Sequence, residues 1–276
     1  MTTTRMLFCE ISPLTYNISY QKEIMKRRIY NLLHRVSYAE DMSLDLLPVI
    51  VKSHASILMR RLHGVDMLLQ ENKKTNITLA CQHINKIVIH PGETFSFWHL
   101  VGSVSKKKGY MDGLVITSKK ETGAGPGGGL CQLANMIHWL VLNSPMTVTE
   151  LHHHTDALFP DERRRVPFGT GTSILYNYLD YRFKNTTDQD MQLVVWVEDE
   201  CLCGELRTTK PLPYSYRLVE ENHHFHKEGD DYYRISQVYK ITTDKETKEV
   251  VSKELILDNH SCVLYDHRLI PKDEIR

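Results

Sequence analysis

A run of glycines in the middle of the chain constrains its fold more than any other feature. Residues 123–132 read Gly-Ala-Gly-Pro-Gly-Gly-Gly-Leu-Cys-Gln, which places five glycines in seven positions. Glycine has no Cβ, so it adopts positive φ readily and lets the backbone approach a neighbour or a ligand closely. The next apolar residues recur at the helical period and share one face: Leu130, Leu133, Ala134, Ile137 and Val141. The sequence therefore predicts a tight loop followed by a helix that begins at about Leu130.

Cys131 would lie in the first turn of that helix, beside backbone N–H groups that have no partner within the helix. Those amides and the helix dipole favour a thiolate, and they can hold a developing oxyanion, as a nucleophilic cysteine requires. Two other interpretations remain open. The loop can be a turn followed by a buried thiol. It can also bind phosphate, although the Gly-Lys-Ser/Thr ending and the ribose-binding acid of such loops are missing.

A general base for this cysteine is expected among three consecutive histidines, His152, His153 and His154. In an extended segment His152 and His154 share one face, and His153 points the other way. His138 lies on the helix of Cys131, but seven residues of helix span about 10 Å, too far for a hydrogen bond. The histidine pair can instead bind a metal or belong to a polar strand. A metal needs at least a third ligand, and none stands at a suitable spacing.

A third catalytic residue would orient the imidazole. Asp156 stands two residues after His154, and Asp180 lies in a later predicted strand, 175–183. We expect Asp180 to fill this role, with Asp156 as the alternative.

The first quarter of the chain is predicted to be helical. Apolar residues at three- and four-residue spacing predict helices over 20–38 and 49–70, and Thr75 or Asn76 can cap a third that runs toward Ile87. A basic face accompanies the first helix and holds Lys22, Lys26, Arg27, Arg28 and Arg35. Such a helix can lie on a membrane surface. Acidic residues soon after it favour the alternative, a solvated face on a packed helix.

From residue 90 onward, turns alternate with short β-branched or aromatic runs, which predicts strands at 94–98, 114–117, 175–183 and 192–197. A charged turn at 244–247 between two further strand patterns predicts a C-terminal β-hairpin. We therefore predict an α+β fold in which the helix of Cys131 packs on a small antiparallel sheet. The predicted organisation is a helical N-terminal region (1–75), a central mixed α/β domain (76–200) and a small β-rich C-terminal extension (201–276).

Composition narrows the possible partners. The chain balances 34 Lys and Arg against 34 Asp and Glu, so no net positive charge recruits nucleic acid. Its apolar runs fall short of the roughly 18–20 residues of a membrane helix, and its first residues lack a signal-peptide core. We therefore expect a cytoplasmic protein with reduced cysteines and no transmembrane segment. Cys201-Leu202-Cys203 is half a zinc site without a second half, so we expect no metal and no cofactor.

Several motifs, in order, resemble the VanW domain. They are 90–97 (His-Pro-Gly-Glu-Thr-Phe-Ser-Phe), Val101-Gly102, Lys108-Gly109-Tyr110, 125–132, 150–155 with His153 in place of a proline, and 179–187. The resemblance covers 76–197, and the whole chain resembles the short VanW proteins that accompany glycopeptide-resistance gene clusters. VanW domains are mostly found in envelope proteins of Gram-positive bacteria. Some members resemble cysteine-dependent L,D-transpeptidases that crosslink peptidoglycan stem peptides.

The resemblance implies that Cys131 is the nucleophile and that His152 or His154 is the base. It places the substrate against the glycine loop and the residue after the cysteine: Gly127, Gly128, Gly129 and Gln132. It also implies an association with the cell envelope. The expected activity is acyl transfer, in which Cys131 attacks a stem-peptide carbonyl, His154 moves the proton, and loop amides hold the oxyanion.

One departure from the family pattern supports an alternative function. Other members often have an Asp after a Pro-Gly turn, whereas residues 166–172 here read Val-Pro-Phe-Gly-Thr-Gly-Thr. If that Asp orients the histidine elsewhere, this chain uses another group or lacks the activity. The alternative is a non-catalytic accessory protein that binds a cell-wall precursor or a resistance-cluster partner through the same cleft.

Overall fold

The computed structural model describes residues 7–59, 66–116, 122–153, 156–157, 160, 166–176 and 178–276. Its α-helices are α1 (Pro13–His34), α2 (Met67–Ile84), α3 (Phe97–Val101) and α4 (Leu130–Leu142). Its strands are β1 (Asp41–Met42), β2 (Val49–Ile57), β3 (Ile87–Ile89), β4 (Thr94–Ser96), β5 (Asp112–Ile116), β6 (Thr122–Pro126), β7 (Thr147–Glu150), β8 (Asp156–Ala157), β9 (Arg182–Lys184), β10 (Met191–Glu198), β11 (Cys201–Thr208), β12 (Tyr214–Glu228), β13 (Asp231–Asp244) and β14 (Val250–Val263). These elements confirm the predicted α+β class.

A five-stranded antiparallel sheet forms the centre of the fold, in the order β1-β3-β10-β11-β2. Helices α2 and α4 pack against it, and buried Leu133 and Ile137 of α4 share one core with Leu193 and Leu206 of the sheet. The hairpin β5–β6 leads directly into the glycine loop and α4. The large core therefore fixes the position of the α4 N-terminus, where Cys131 lies.

Two smaller sheets complete the arrangement. The sheet β4-β9-β7 brings the strand before the histidines beside the strand after Asp180. The C-terminal sheet contains three long antiparallel strands, β12-β13-β14, and the short β8, which is parallel to β14. The predicted C-terminal hairpin corresponds to β13 and β14, and β12 extends it to a larger sheet.

The central sheet takes strands from all three predicted segments of the chain. Strand β2 comes from the first segment, β10 from the second and β11 from the third. The boundaries at 75 and 200 therefore mark changes of sequence pattern, and as limits of domains they remain a prediction.

The predicted helix over 49–70 is wrong, because its first half forms the edge strand β2. Val49, Ile50 and Val51 are β-branched and fit a pleated surface, and β2 pairs with β11 along its length. The next helix, α2, starts at Met67, earlier than the predicted Thr75 or Asn76. Its N-cap is Asp66, whose Oδ1 accepts a hydrogen bond from the Leu68 N–H at 2.9 Å.

Two predicted strands are shorter than expected. The strand at 94–98 stops at Ser96, whose hydroxyl caps α3 by accepting from the His99 N–H at 3.2 Å. In the predicted strand 175–183, Leu175 and Leu179 instead bond to each other across a turn, with both N–H···O distances at 2.9 Å. Regular pairing begins only at Arg182, in β9.

Candidate functional site

The glycine loop has the predicted conformation, and the chain itself fills the space that its glycines leave. Gly127 has a φ of 76° and Gly129, the N-cap of α4, has a φ of 97°. A Cβ on Gly128 would lie 2.1 Å from the carbonyl carbon of Gly113, and one on Gly129 would lie 2.1 Å from Cγ of Lys73. The glycines are thus required by close packing against a neighbouring backbone and a lysine side chain.

Several amides of the loop already have hydrogen-bond partners. The Gly127 N–H donates to the Met111 carbonyl at 3.0 Å, and the Gly128 and Leu130 N–H groups donate within the turn, at 3.0 and 3.3 Å. Asn76, buried on α2, clamps the loop by donating to the carbonyls of Gly128 and Met111, each at 3.0 Å. In this conformation these three amides are not available to an oxyanion.

Cys131 lies in the first turn of α4, as predicted, but its thiol faces the protein. Its Sγ is 4.0 Å from the carbonyl oxygen of Ile174, to which it donates. Burial raises the pKa of the Cys131 thiol, and backbone hydrogen bonds at Ile174 and at Cys131 itself offset this only in part. The direction is opposite to the one expected from the helix start, because loss of water outweighs the field of the amides.

His152 and His153 do not continue the strand that precedes them. Strand β7 ends at Glu150, and no strand is assigned to 151–153, so the alternating faces of a strand do not order these two rings. The His152 Nε2 lies 2.9 Å from Oε1 of Glu150. His153 Nδ1 lies 3.3 Å from the carbonyl oxygen of Gly169. His154, the preferred base in the sequence analysis, lies outside the described residues.

Glu150 is the carboxylate that orients His152, and it is not among the site residues predicted from the sequence. Arg27 of α1 donates to both of its oxygens, at 2.7 and 2.5 Å, and the Asp180 N–H donates at 3.0 Å. Burial raises the pKa of Glu150, but the hydrogen bonds from Arg27 and His152 outweigh it and lower the pKa overall. The available signal was the spacing, since Glu150 stands only two residues before His152 in the sequence.

Asp180 is fully buried and serves as a junction between elements. Four donors surround its two oxygens: the hydroxyl of Ser96 at 2.5 Å, the N–H groups of Trp98 and Tyr181 at 3.0 and 2.9 Å, and Nε of Arg182 at 2.7 Å. None of the described histidines bonds to Asp180. The expected role of this carboxylate in orienting the imidazole therefore has no support in its contacts. The alternative, Asp156, lies in β8 beside β14.

A three-residue segment, 172–174, lies between Cys131 and His152. The Thr172 N–H donates to the Asn135 side chain of α4 at 2.7 Å, and the Ser173 N–H donates to the His152 carbonyl at 2.7 Å. The next residue, Ile174, receives the thiol of Cys131. The segment 172–174 therefore contacts both residues, Cys131 through its thiol and His152 through its main-chain carbonyl.

Two further predicted residues have packing roles. The Gln132 side chain donates to the Ile57 carbonyl at 3.0 Å and to the Ser56 hydroxyl at 3.2 Å, which ties α4 to β2. His138 is buried with its Nδ1 3.0 Å from the Tyr181 hydroxyl, and burial lowers its pKa to about 3. His138 is thus neutral at physiological pH and packs in the core.

The described residues contain neither a clustered set of metal ligands nor a membrane-spanning helix. No group of three or more His, Cys, Asp or Glu side chains in that part of the chain is arranged to hold a metal ion. None of the helices described there combines the length and apolar character needed to cross a bilayer.

Comparisons with known proteins agree with the motifs. The family described as "VanW like protein" matches residues 72–207. The chain is 30% identical over 228 residues to "Vancomycin B-type resistance protein VanW" of Enterococcus faecalis (strain ATCC 700802 / V583), which is 83% of this chain and 82% of that protein. It is also 30% identical over 119 residues to "Uncharacterized protein YoaR" of Bacillus subtilis (strain 168), 43% of this chain and 37% of that protein. No solved structure matches. The chain belongs to the VanW family.

Proposed function

We propose that this chain acts in vancomycin resistance by binding a peptidoglycan stem peptide or its precursor without forming a covalent bond to it. Membership of the VanW family and the name of the enterococcal relative support the link to resistance. The state of Cys131 in this structure is the observation that favours a non-covalent role. Its thiol is donated to the Ile174 carbonyl and its pKa is raised by burial, so the nucleophilic thiolate is disfavoured.

The glycine loop supports the same proposal. Gly113 and Lys73 occupy the space beside Gly128 and Gly129, and three loop amides are already bonded. The imidazole groups of His152 and His153 suit peptide recognition, because a ring N–H can donate to a carbonyl or carboxylate. His152 is partly exposed, and His153 is exposed beside it. In this proposal the rigid loop shapes the site, and the histidines contact the ligand.

A second candidate is acyl transfer by Cys131, and one arrangement favours it. Cys131 and His152 flank the segment 172–174, and Glu150 orients the His152 ring. In this reaction His152 takes the thiol proton while sulfur attacks a stem-peptide carbonyl carbon. The peptide amine then leaves with that proton, and the thioester passes to another amine or to water. The thiol must first leave the Ile174 carbonyl.

One experiment separates the two candidates. The purified chain is incubated with a synthetic stem pentapeptide, and both calorimetric binding and intact protein mass are measured. We expect binding without a mass increase, equally in Cys131→Ser and in Cys203→Ser, a control thiol on β11. A mass increase that Cys131→Ser removes and Cys203→Ser retains would establish acyl transfer. Neither binding nor a mass increase would contradict both candidates and the stem peptide as ligand.

A further inference from the structure

Helix α1 turns its apolar face outward. Within α1, whose side chains are all described, Ile24 alone is buried. Six large apolar residues of α1 are more than half exposed, and one of them is Leu33 (72%). The other five, here called the apolar stripe, are Leu14 (69%), Ile18 (51%), Met25 (54%), Ile29 (52%) and Leu32 (78%). At 100° per residue they fall within an arc of about 60° on the helix surface. The sequence favours a packed apolar face on this helix, and the structure shows the opposite.

The orientation of α1 is fixed by contacts on its other side. Arg27 forms its two hydrogen bonds with Glu150 and donates to the Tyr178 carbonyl at 3.0 Å. The Tyr20 hydroxyl donates to the Tyr176 carbonyl. These anchors and Ile24 lie about 110–170° around the helix from the centre of the apolar stripe, so the stripe faces away from the protein body.

Exposed cations lie along both edges of the apolar stripe. Arg28 lies on one side, and Lys22 and Lys26 lie on the other. Glu23 is the only acidic residue of α1, and it lies on the far side, where it pairs with Lys26 at 2.7 Å. Three more exposed apolar residues precede the helix and lengthen the apolar surface: Leu7, Phe8 and Ile11.

We propose that α1 docks on the surface of an anionic phospholipid bilayer, with the apolar stripe at the acyl-chain boundary. An apolar arc bordered by Lys and Arg matches such a surface, since the long basic side chains reach the phosphates while their stems stay apolar. Pairing with a second copy through the stripe fits less well. It would bring Arg28, Lys22 and Lys26 of both copies to the same interface with no carboxylate from α1 between them.

Vesicle cosedimentation of the full chain tests the proposal. We expect binding to phosphatidylcholine vesicles that contain phosphatidylglycerol, weaker binding to pure phosphatidylcholine, and release by salt. The charge variant Lys22→Gln/Lys26→Gln/Arg28→Gln should bind about 100-fold more weakly, because each cation near the surface contributes about fivefold to the affinity. Its control removes three exposed lysines elsewhere and should bind as the wild type does: Lys107→Gln/Lys108→Gln/Lys272→Gln.

The apolar part has its own variant and control. Met25→Gln/Ile29→Gln/Leu32→Gln should abolish vesicle binding. The control changes three exposed apolar residues of β14, Val250 (60%), Val251 (57%) and Leu255 (48%), to Gln and should leave binding unchanged. Circular dichroism of each variant verifies folding. A tryptophan reporter, Ile29→Trp, should be quenched by brominated lipid, and Val251→Trp should not.

Three outcomes would overturn the proposal. The first is no sedimentation with anionic vesicles. The second is equal loss of binding in the variants and their controls. The third is a dimer, seen by sedimentation velocity, that the stripe variant dissociates while no vesicle binding occurs. None of these measurements involves Cys131 or the stem peptide, so their result is independent of the proposed function.

Discussion

Helices α1 and α4 both carry apolar residues at helical spacing, yet they use them differently. Helix α4 buries nine of its 13 residues against the central sheet and α2. Helix α1 buries one of 22, and polar anchors at Arg27 and Tyr20 hold it to the body. Periodicity therefore predicts a helix and the direction of its apolar face, but it does not predict which surface covers that face.

The difference also bears on the candidate site. Because α4 is fixed by a large core, Cys131 at its start has a defined position and is partly buried against that core. Helix α1 contacts the same region through Glu150, the residue that also orients His152, and through the carbonyls of Tyr176 and Tyr178. A change in the orientation of α1 would therefore alter the position of the His152 ring through Glu150, while Cys131 would stay in place.

The largest expected difference between the two helices is in the stability that is lost when one apolar side chain is truncated in each. Ile137→Ala in α4 should lower the free energy of unfolding by about 2–5 kcal/mol, since it leaves a cavity in the core. Ile29→Ala in α1 should change it by less than about 0.5 kcal/mol, because that side chain is already exposed. Urea unfolding of both variants measures the two values. A loss of similar size in both would mean that the apolar stripe is covered in solution.

The segment that leads into α4 should tolerate alanine at position 125 but not at position 128. Gly128→Ala would place a Cβ 2.1 Å from the Gly113 backbone and should cost about 1–3 kcal/mol of stability. Gly125→Ala is the matched control, because its Cβ would lie 3.6 Å from Val115, an ordinary contact. Thermal unfolding compares them. Equal stability of the two variants would show that the loop can open away from Gly113 and make room for a ligand.

Some of this architecture could be predicted from the sequence. The start of α4 was predictable because a glycine run ends where a helical apolar period begins. The packing of Gly113 and Lys73 against the loop was not, since both are distant in sequence. The contacts of Asp180 were not predictable for a similar reason: its donors Ser96 and Trp98 come from a strand and a helix that only the fold brings near.

The anchor between α1 and the site should depend on pH. The pKa of Glu150 is lowered in the folded state, so its contribution to stability is complete above the ordinary Glu range and is lost as pH falls through the lowered value. Glu150→Gln should cost about 1–2 kcal/mol at neutral pH and remove that part of the acid dependence.

Urea unfolding from neutral to acid pH measures this dependence. Glu23→Gln is the control, because the exposed pair between Glu23 and Lys26 should contribute less than about 0.5 kcal/mol. An unchanged pH profile in Glu150→Gln would mean that Arg27 and His152 are held without this carboxylate.

The smallest effect is kinetic and compares a thiol beside each helix. Cys9 lies in the short turn Phe8–Glu10 before α1, and Cys131 lies in the first turn of α4. Because burial raises the pKa of Cys131, its thiolate fraction at neutral pH falls about tenfold for each pKa unit. Brief iodoacetamide treatment followed by peptide mapping should therefore label Cys9 before Cys131. Cys81 should be slowest, since burial raises its pKa to about 12.

Adding the stem pentapeptide makes the same measurement more decisive. A ligand that leaves Cys131 bonded to the Ile174 carbonyl should keep labelling slow, as the non-covalent proposal requires. A ligand that shifts the segment 172–174 would free the thiol and make Cys131 the fastest of the cysteines. That result would favour acyl transfer, because the sulfur would then gain water, the nearby amides and access to His152 while α4 itself stays in the core.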